Sequence, residues 1–216
     1  MINMVVLSDF DGTITRIDTA EHVLTSFARG DWRVFEKQYE RGKITLEECL
    51  KKQFSLVTAS QEEILNELDK IVTFRPNFEG LVRYCRKNRI PTVIVSAGLD
   101  FVINHFLRLN NWEGLVETYM AKTKFRVNGI DFDFPELFDP TSANFKQDLV
   151  RHYKTEGKKV VYIGDGSADY AAAGDADYVF AIKGSRLAAL CKEHGMYCMS
   201  ITDFKRVCET ICPIVT

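Results

Sequence analysis

Short apolar segments that alternate with helical ones restrict the fold of this chain more than any other feature. Three of them are MVVLS (residues 4–8), PTVIVSAG (91–98) and KVVYIG (159–164). Runs of this length and composition are typical of strands buried on both faces of a parallel sheet. Parallel neighbours joined through helices require right-handed β–α–β crossovers. The sequence therefore predicts an α/β fold, with a Rossmann-like parallel sheet and helices on both faces.

A polar, helix-rich segment interrupts this alternation directly after the first strand. Its predicted helices begin at Asp18, Asp31, Thr45 and Ser60. The last two residues open TLEE and SQEE, which match the capping box, where Ser or Thr is followed three residues later by Glu. We interpret residues 16–73 as a small helical cap without strands. It is inserted into an α/β core domain that comprises residues 1–15 and 74–216.

The rest of the chain returns to alternating strands and helices. Helices are predicted over residues 77–88 and 100–109, from about Asn144, and over 185–194 and 202–211; strands are predicted at 116–121, 178–182 and 197–201. Within KFRVNGIDFDF, Asn128-Gly129 is the strongest short signal for a hairpin. We therefore expect a hairpin turn at these two residues.

Composition excludes several classes of protein. The net charge is −2, which gives no basic surface for nucleic acid and no polybasic membrane patch. No apolar run approaches the ~20 residues that cross a bilayer. Residues 1–4 lead directly into a strand, without a signal segment, so we interpret the protein as cytoplasmic. Whether it is a monomer or a homodimer stays open.

The cysteines and histidines do not form a metal-binding pattern. The six cysteines are scattered without a CxxC pair, and the four histidines are equally dispersed. Zinc sites require closely spaced pairs of such residues. We therefore interpret the cysteines as buried free thiols and expect no histidine-based metal centre.

Chemically distinctive residues follow three of the predicted strands. Asp9 and Asp11 end the first, Ser96 ends the second, and Asp165 and Asp169 follow the third. In open α/β sheets, ligands bind beyond the carboxyl ends of the strands. We expect these side chains to converge there, joined by Lys146 from the start of a helix.

Such a group of residues fits phosphate chemistry. Asp9, Asp165 and Asp169 would repel one another, with raised pKa values, unless a cation is present. Oxygen ligands alone suit Mg²⁺ rather than zinc. A serine hydroxyl, glycine backbone and one lysine suit a phosphoryl group. One carboxylate could act as nucleophile and form an aspartyl-phosphate, while Asp11 protonates the leaving oxygen and later activates water.

The motifs DFDGTIT, VIVSAG, the single lysine and GDGSAD occur in this order, and they resemble the four motifs of the haloacid dehalogenase (HAD) phosphatase superfamily. The resemblance implies that Asp9 is the nucleophile and a Mg²⁺ ligand, and that Asp11 is the general acid/base with its backbone carbonyl on the metal. It further implies Mg²⁺ ligation or support by Asp165 and Asp169. The phosphoryl group would be held near Ser96, Ala97, Lys146, Gly12 and Thr13.

Within the superfamily the chain resembles the phosphoserine phosphatases, and more closely the phosphatase type of methionine salvage that acts on 2-hydroxy-3-keto-5-methylthiopentenyl-1-phosphate. The local likeness lies in DFDGTIT with Asp18, KKQFSLV and IPTVIVSAGLDFVI. The resemblance implies that Asp18 and Lys51 take the places of a glutamate and a cap arginine that meet phosphoserine. His22 would share a helical face with Asp18. These three are the predicted substrate contacts in the cap.

The predicted function is hydrolysis of a small phosphorylated metabolite. A phosphotransferase of the same fold is the alternative, because the sequence does not separate water from an alcohol as acceptor. A receiver-like signalling module is less favoured, since receivers are shorter and carry the phosphorylated Asp on a middle strand. Dehalogenation is disfavoured by Asp11, because a halide leaving group needs no proton.

Overall fold

A computed structural model describes residues 3–215. Its strands are β1 (Met4–Ser8), β2 (Thr92–Ser96), β3 (Glu117–Met120), β4 (Lys122–Arg126), β5 (Gly129–Asp133), β6 (Lys159–Gly164), β7 (Tyr178–Ile182) and β8 (Met199–Ile201). Its helices are α1 (Thr19–Phe27), α2 (Arg33–Glu40), α3 (Leu46–Phe54), α4 (Gln61–Leu68), α5 (Phe78–Lys87), α6 (Asp100–Leu109), α7 (Phe145–Thr155), α8 (Tyr170–Asp175), α9 (Arg186–Glu193) and α10 (Lys205–Val215). The first two residues and the last residue of the predicted core domain lie outside this range.

Six strands form one parallel sheet in the order β3-β2-β1-β6-β7-β8. The strand β1 is central: Val6 pairs with Thr92 on one side and with Val161 on the other, and every residue of β1 is buried. The predicted α/β fold with a parallel sheet is confirmed. Because the chain continues from β1 to β2 on one side and reaches β6 on the other, a crevice forms beyond the carboxyl end of β1.

Five helices, α1 to α5, lie between β1 and β2, and residues 16–73 contain α1 to α4 and no strand. Both predicted capping boxes are present, at Thr45 with Glu48 and at Ser60 with Glu63. Asp18 caps α1, because its side chain accepts a hydrogen bond from the backbone N–H of Glu21 at 2.8 Å. The chain enters and leaves this segment side by side, since Thr15 and Phe74 form an isolated antiparallel bridge.

Some local predictions differ from the structure by one to three residues. The helix predicted from Asp31 begins at Arg33, whose N–H donates to the Asp31 carboxylate at 3.1 Å. The last helix begins at Lys205 rather than at residue 202. The hairpin β4–β5 is present, but Arg126 pairs with Gly129, so its turn residues are 127 and 128. The short helix α8 was not predicted.

The six cysteines are free thiols, but their burial varies. Cys49, Cys85 and Cys191 are buried as predicted, whereas Cys198 and Cys208 are half-buried and Cys212 is exposed. Cys208 and Cys212 lie on α10, which packs against α5 and has one face exposed to solvent. Among residues 3–215, no helix is both long and apolar enough to cross a membrane.

The hairpin β4–β5 packs against α3. Phe132 and Phe54 make an edge-to-face contact with ring centroids 5.3 Å apart. The backbone of Gly129, at φ +147°, lies so close to Ser55 that an added Cβ would be 2.5 Å from the Ser55 carbonyl oxygen. Only glycine adopts this backbone conformation without strain and permits this approach.

We expect Gly129→Ala to lower the free energy of unfolding by about 3 kcal/mol, because backbone strain and a clash with the Ser55 backbone add together. The measurement is urea unfolding followed by circular dichroism. Gly114→Ala is the matched control: it has φ +74° but nothing within 4 Å of an added Cβ, and should cost only about 1 kcal/mol. Equal losses in the two variants would contradict the packing of the hairpin on α3.

Candidate active site

The loop after β1 brings two carboxylates to the crevice. The N–H of Asp9 donates to the carbonyl of Ile163 on β6 at 2.9 Å, which extends the sheet contact by one residue. The carbonyl of Phe10 then accepts hydrogen bonds from the N–H groups of Ile14 and Thr15, so the chain turns sharply. As a result Asp9 and Asp11 are both more than nine-tenths buried, with 6% and 7% of their surface exposed.

Lys146 provides a buried positive charge at this point. Its ammonium Nζ lies 3.0 Å from Oδ1 of Asp9 and 2.7 Å from Oδ1 of Asp169. Asn144 caps α7 by accepting hydrogen bonds from the N–H groups of Lys146 and Gln147, and its amide donates to the carbonyl of Ala168 at 3.0 Å. Burial, which leaves Lys146 2% exposed, would by itself lower its pKa, but the carboxylates of Asp169 and Asp9 outweigh this and raise the pKa above its usual value.

Asp169 is fully buried and fully hydrogen-bonded. Its Oδ1 accepts from Lys146 Nζ and from the Tyr162 hydroxyl, both at 2.7 Å. Its Oδ2 accepts from the N–H groups of Asp165 and Gly166 at 3.0 and 2.9 Å. Asp169 therefore fixes both the lysine and the loop after β6.

Asp165 lies near Asp9, because it follows β6, the strand next to β1. Its Oδ1 accepts a hydrogen bond from the Thr13 hydroxyl at 2.9 Å. Its Oδ2 lies directly over Gly12, where an added Cβ would be 2.3 Å away. Gly12 has φ +69°, so both the turn and the close approach require glycine. Oxygens of Asp9, Asp165 and Asp169 lie within 4.8 Å of one another.

Ionisation of Asp9 and of Asp165 is made costly by burial and by nearby carboxylates. Burial raises the pKa of Asp9 well above its usual value, and repulsion by Asp169 adds to this against the attraction of Lys146. Burial and then Asp169 raise the pKa of Asp165 to about 7. A divalent cation among them would favour the ionised forms, and the oxygen-only donor set fits Mg²⁺.

Asp11 is anchored through one oxygen only. Its Oδ1 accepts hydrogen bonds from the N–H of Thr19, at 3.1 Å, and from the Thr19 hydroxyl. Its Oδ2 has no partner among the described residues and lies over Gly98, where an added Cβ would be 2.1 Å away. Burial, with repulsion from Asp18, raises the pKa of Asp11 to about 7. The group is thus suited to holding and releasing a proton near neutral pH.

A cavity of about 340 Å³ opens over these residues, between the sheet edge and α1 to α3. Its floor includes Asp9, Asp11, Lys146 and the turn Ser96-Ala97-Gly98, in which the Ser96 hydroxyl accepts from the Gly98 N–H at 3.0 Å. Its opposite wall includes Asp18, Glu21, Trp32, Glu36, Tyr39 and Gln53. A small ester could occupy it with one end on the floor and the other against the wall.

A model of the haloacid dehalogenase-like hydrolase family matches residues 6–174. The chain belongs to this family. It is 31% identical over 183 residues to the 2-hydroxy-3-keto-5-methylthiopentenyl-1-phosphate phosphatase of Brevibacillus brevis, with 82% of each chain covered. The phosphatase of the same name from Geobacillus kaustophilus is 31% identical over 205 residues, covering 89% of this chain and 88% of the relative.

Solved structures share the fold of this hydrolase. A substrate-bound phosphoserine phosphatase superposes with a TM-score of 0.70, covers 97% of this chain and 99% of its own, and is 18% identical. A HAD family hydrolase from Salmonella enterica superposes with a TM-score of 0.71 over 96% of this chain and 70% of its own, also at 18% identity. The family resemblance predicted from the four motifs is confirmed.

The predicted site residues of the hydrolase fall into three groups. Lining the cavity are Asp9, Asp11, Asp18, Ser96, Ala97, Lys146, Asp165 and Asp169. Gly12 and Thr13 lie beneath it, against Asp165. His22 and Lys51 are not among the lining residues: His22 faces Glu67, with Nε2 3.6 Å from Oε1, and exposed Lys51 lies over the Phe134 ring at 5.9 Å.

Two residues of the hydrolase that sequence reasoning missed are next to the site. Gln53 lines the cavity from α3. Arg75 follows the helical segment, and its guanidinium donates to the carbonyls of Thr13 and Gly12 at 2.9 and 2.8 Å, which holds the loop after β1. A single arginine before Pro76 has no sequence pattern that indicates this role. For Gln53 such a pattern exists, because its spacing places it on the same helical face as Leu46 and Leu50.

Proposed function

We propose that this hydrolase is a Mg²⁺-dependent phosphomonoesterase that acts on a small phosphorylated metabolite through an aspartyl-phosphate on Asp9. The observation that carries the proposal is the buried Asp9 carboxylate with Lys146 Nζ at 3.0 Å and the Asp165 carboxylate beside it, on the floor of a cavity. A carboxylate held beside a cation and below a cavity is positioned to attack a bound phosphoryl group.

Asp9, Asp165 and the backbone carbonyl of Asp11 would hold Mg²⁺. When bound, the ion supplies positive charge that keeps the carboxylates ionised and offsets charge on the phosphoryl oxygens. Both oxygens of Asp169 already accept two hydrogen bonds each, so we assign it to positioning Lys146 and the Asp165 loop rather than to direct ligation. Asp169 then supports the ion through these partners.

The chemistry proceeds in two displacements. An oxygen of Asp9 attacks phosphorus, the ester P–O bond breaks, and Asp11 gives its proton to the leaving alkoxide. Asp11 then takes a proton from a water molecule, whose oxygen attacks the phosphorus of the aspartyl-phosphate. This releases inorganic phosphate and regenerates the Asp9 carboxylate. During both steps Lys146, the Ser96 hydroxyl and the backbone around Ala97 hold the phosphoryl oxygens.

Residues 16–73 would act as a cap that covers the bound ester and keeps bulk water out. Asp18 is the predicted cap contact that lines the cavity. The similarity to relatives named 2-hydroxy-3-keto-5-methylthiopentenyl-1-phosphate phosphatase makes that ester a candidate substrate. Phosphoserine is the second candidate, from the likeness of fold to phosphoserine phosphatase.

We expect Mg²⁺-dependent phosphate release, with the Mg²⁺ concentration for half-maximal rate falling as pH rises from about 6 to about 8. Asp9 and Asp165 have raised pKa values without the ion, so protons compete with Mg²⁺ at low pH and leave as pH rises. The measurement is phosphate release from the two candidate esters, sugar phosphates and p-nitrophenyl phosphate, with Mg²⁺ or with EDTA.

Three results would contradict the proposal. Equal rates of phosphate release with EDTA and with Mg²⁺ would show that the reaction does not require the metal. Formation of a new phosphoester when glycerol or ethanol is added, at the expense of free phosphate, would favour the phosphotransferase alternative. A stable phosphoryl-protein formed from acetyl phosphate, with no release from any ester, would favour a signalling module.

A further inference from the structure

The wall of the cavity opposite Asp9 is acidic. Four carboxylates from the helical segment line it, Asp18, Glu21, Glu36 and Glu40, and no lysine or arginine of α1 to α4 does. They line the same cavity, and partial burial, followed by repulsion from Glu21, Glu40 and Asp18, raises the pKa of Glu36. All four are exposed to solvent, which weakens each charge, but together they disfavour a negatively charged group at this wall.

The positive charges of the cavity are at its other end. Lys146 is paired with Asp9 and Asp169, and Arg186 follows the loop after β7. Leu187, next to Arg186, donates its N–H to the carbonyl of Asp165 at 2.7 Å, so this part of α9 lies beside the carboxylates. Lys146 is where we place the phosphoryl group, and Arg186 begins the helix beside the Asp165 loop. A carboxylate at the alcohol end of a substrate would face the four acids with no lysine or arginine of α1 to α4 among the lining residues.

Gln53 is the uncharged polar residue that α3 contributes to this wall. It is 5% exposed and lines the cavity, and its amide is not among the fully enclosed polar atoms without a partner, so we place it at the cavity surface. Exposed Lys51 lies two residues earlier on α3, about 200° around the helix, and so points away. An amide at a cavity surface can exchange bound water for a polar atom of a ligand. It offers one acceptor and two donors, which suit a hydroxyl or carbonyl oxygen.

We infer that Gln53 determines substrate specificity by binding an uncharged hydroxyl or carbonyl oxygen in the alcohol part of the ester, and that this site rejects esters with a carboxylate there. The inference rests on the proposed phosphatase function and deepens it. Leu24, Leu50 and Phe54 line the cavity around Gln53 and would contact the apolar part of the same group.

Three esters of similar size test it. The alcohol part of hydroxyacetone phosphate carries a carbonyl and a methyl group, and that of 2-phosphoglycolate carries a carboxylate in their place. The alcohol part of propyl phosphate has no oxygen other than the ester oxygen. We expect wild-type kcat/KM to be highest for hydroxyacetone phosphate and at least ~100-fold lower for 2-phosphoglycolate. Gln53→Ala should lower kcat/KM for hydroxyacetone phosphate about tenfold and leave propyl phosphate unchanged. Gln53→Arg should raise kcat/KM for 2-phosphoglycolate at least about tenfold.

Lys52→Ala, on an exposed position of the same helix, is the control and should leave all three values unchanged. Thermal unfolding of each variant separates specificity from folding. Equal losses on all three esters in Gln53→Ala, or a wild-type preference for 2-phosphoglycolate, would overturn the role of Gln53 while leaving the phosphatase in place. No Mg²⁺-dependent hydrolysis of any ester would instead overturn the proposed function and this inference with it.

Discussion

Asp9→Asn is expected to reduce phosphate release by on the order of 10⁴-fold or more, because an amide cannot form the acyl-phosphate bond. The fold should survive, since asparagine has the same shape and Lys146 keeps its partner Asp169. Removing one of three mutually repelling carboxylates also relieves repulsion, so the melting temperature in EDTA should equal or exceed that of the wild type. The measurements are phosphate release, thermal unfolding and mass spectrometry of acid-quenched protein.

Asp31→Asn is the matched control, because Asp31 is exposed and asparagine can still accept the hydrogen bond from the Arg33 N–H. Asp31→Asn should retain full activity. Mass spectrometry of the acid-quenched protein should detect a phosphoryl adduct on Asp9 in the wild type and no phosphoryl adduct in Asp9→Asn. Activity of Asp9→Asn within tenfold of the wild type, in freshly prepared protein, would show that another residue is the nucleophile.

The core of the fold could be predicted because its strands carry an unambiguous signal. Runs such as MVVLS are apolar at four of their five positions, which is typical of a strand covered on both faces, and β1 is buried throughout. Strand order was not predicted. It depends on which side of β1 each crossover returns, and the composition of single strands does not encode that choice.

The start of a helix could be predicted where its capping hydrogen bonds have a distinctive sequence pattern. Thr45 and Ser60 cap their helices as predicted, because the pattern identifies both partners of a reciprocal pair. Asp31 instead stabilises a turn just before α2. Aspartate is as common in such turns as at helix N-caps, so the residue type alone does not distinguish them. The helix α8 was missed because Tyr170–Asp175 is short and lacks a side-chain cap.

In the candidate site, residues of the floor could be predicted from the sequence more readily than residues of the wall. The carboxylates and Ser96 at the floor lie at or just after the ends of parallel strands, which meet at one edge of the sheet, so their proximity was predictable. Wall residues depend on how α3 is rotated over the cavity. Lys51 was predicted as a substrate contact by resemblance alone, whereas the stripe Leu46, Leu50 and Gln53 indicates the buried face of α3. The helical period therefore identifies Gln53 where resemblance did not.

Asp11→Asn is the second large expected effect, and it distinguishes proton transfer from binding. Asparagine can still accept the hydrogen bonds from Thr19, but it carries no transferable proton. We expect turnover of an alkyl ester to fall by about 10²–10⁴-fold. With p-nitrophenyl phosphate, whose leaving group needs no proton, the first displacement should continue and the second should stall.

The variant should therefore release about one p-nitrophenolate per active site in a rapid burst and then turn over slowly, with the phosphoryl group retained on Asp9. Stopped-flow absorbance and mass spectrometry of the quenched protein measure the two quantities. Asp31→Asn again provides the control and should show no burst beyond that of the wild type. Equal slowing of both esters without a burst would mean that Asp11 acts on the attacking step itself. In that case its unpartnered Oδ2 over Gly98 would serve to orient the substrate rather than to move a proton.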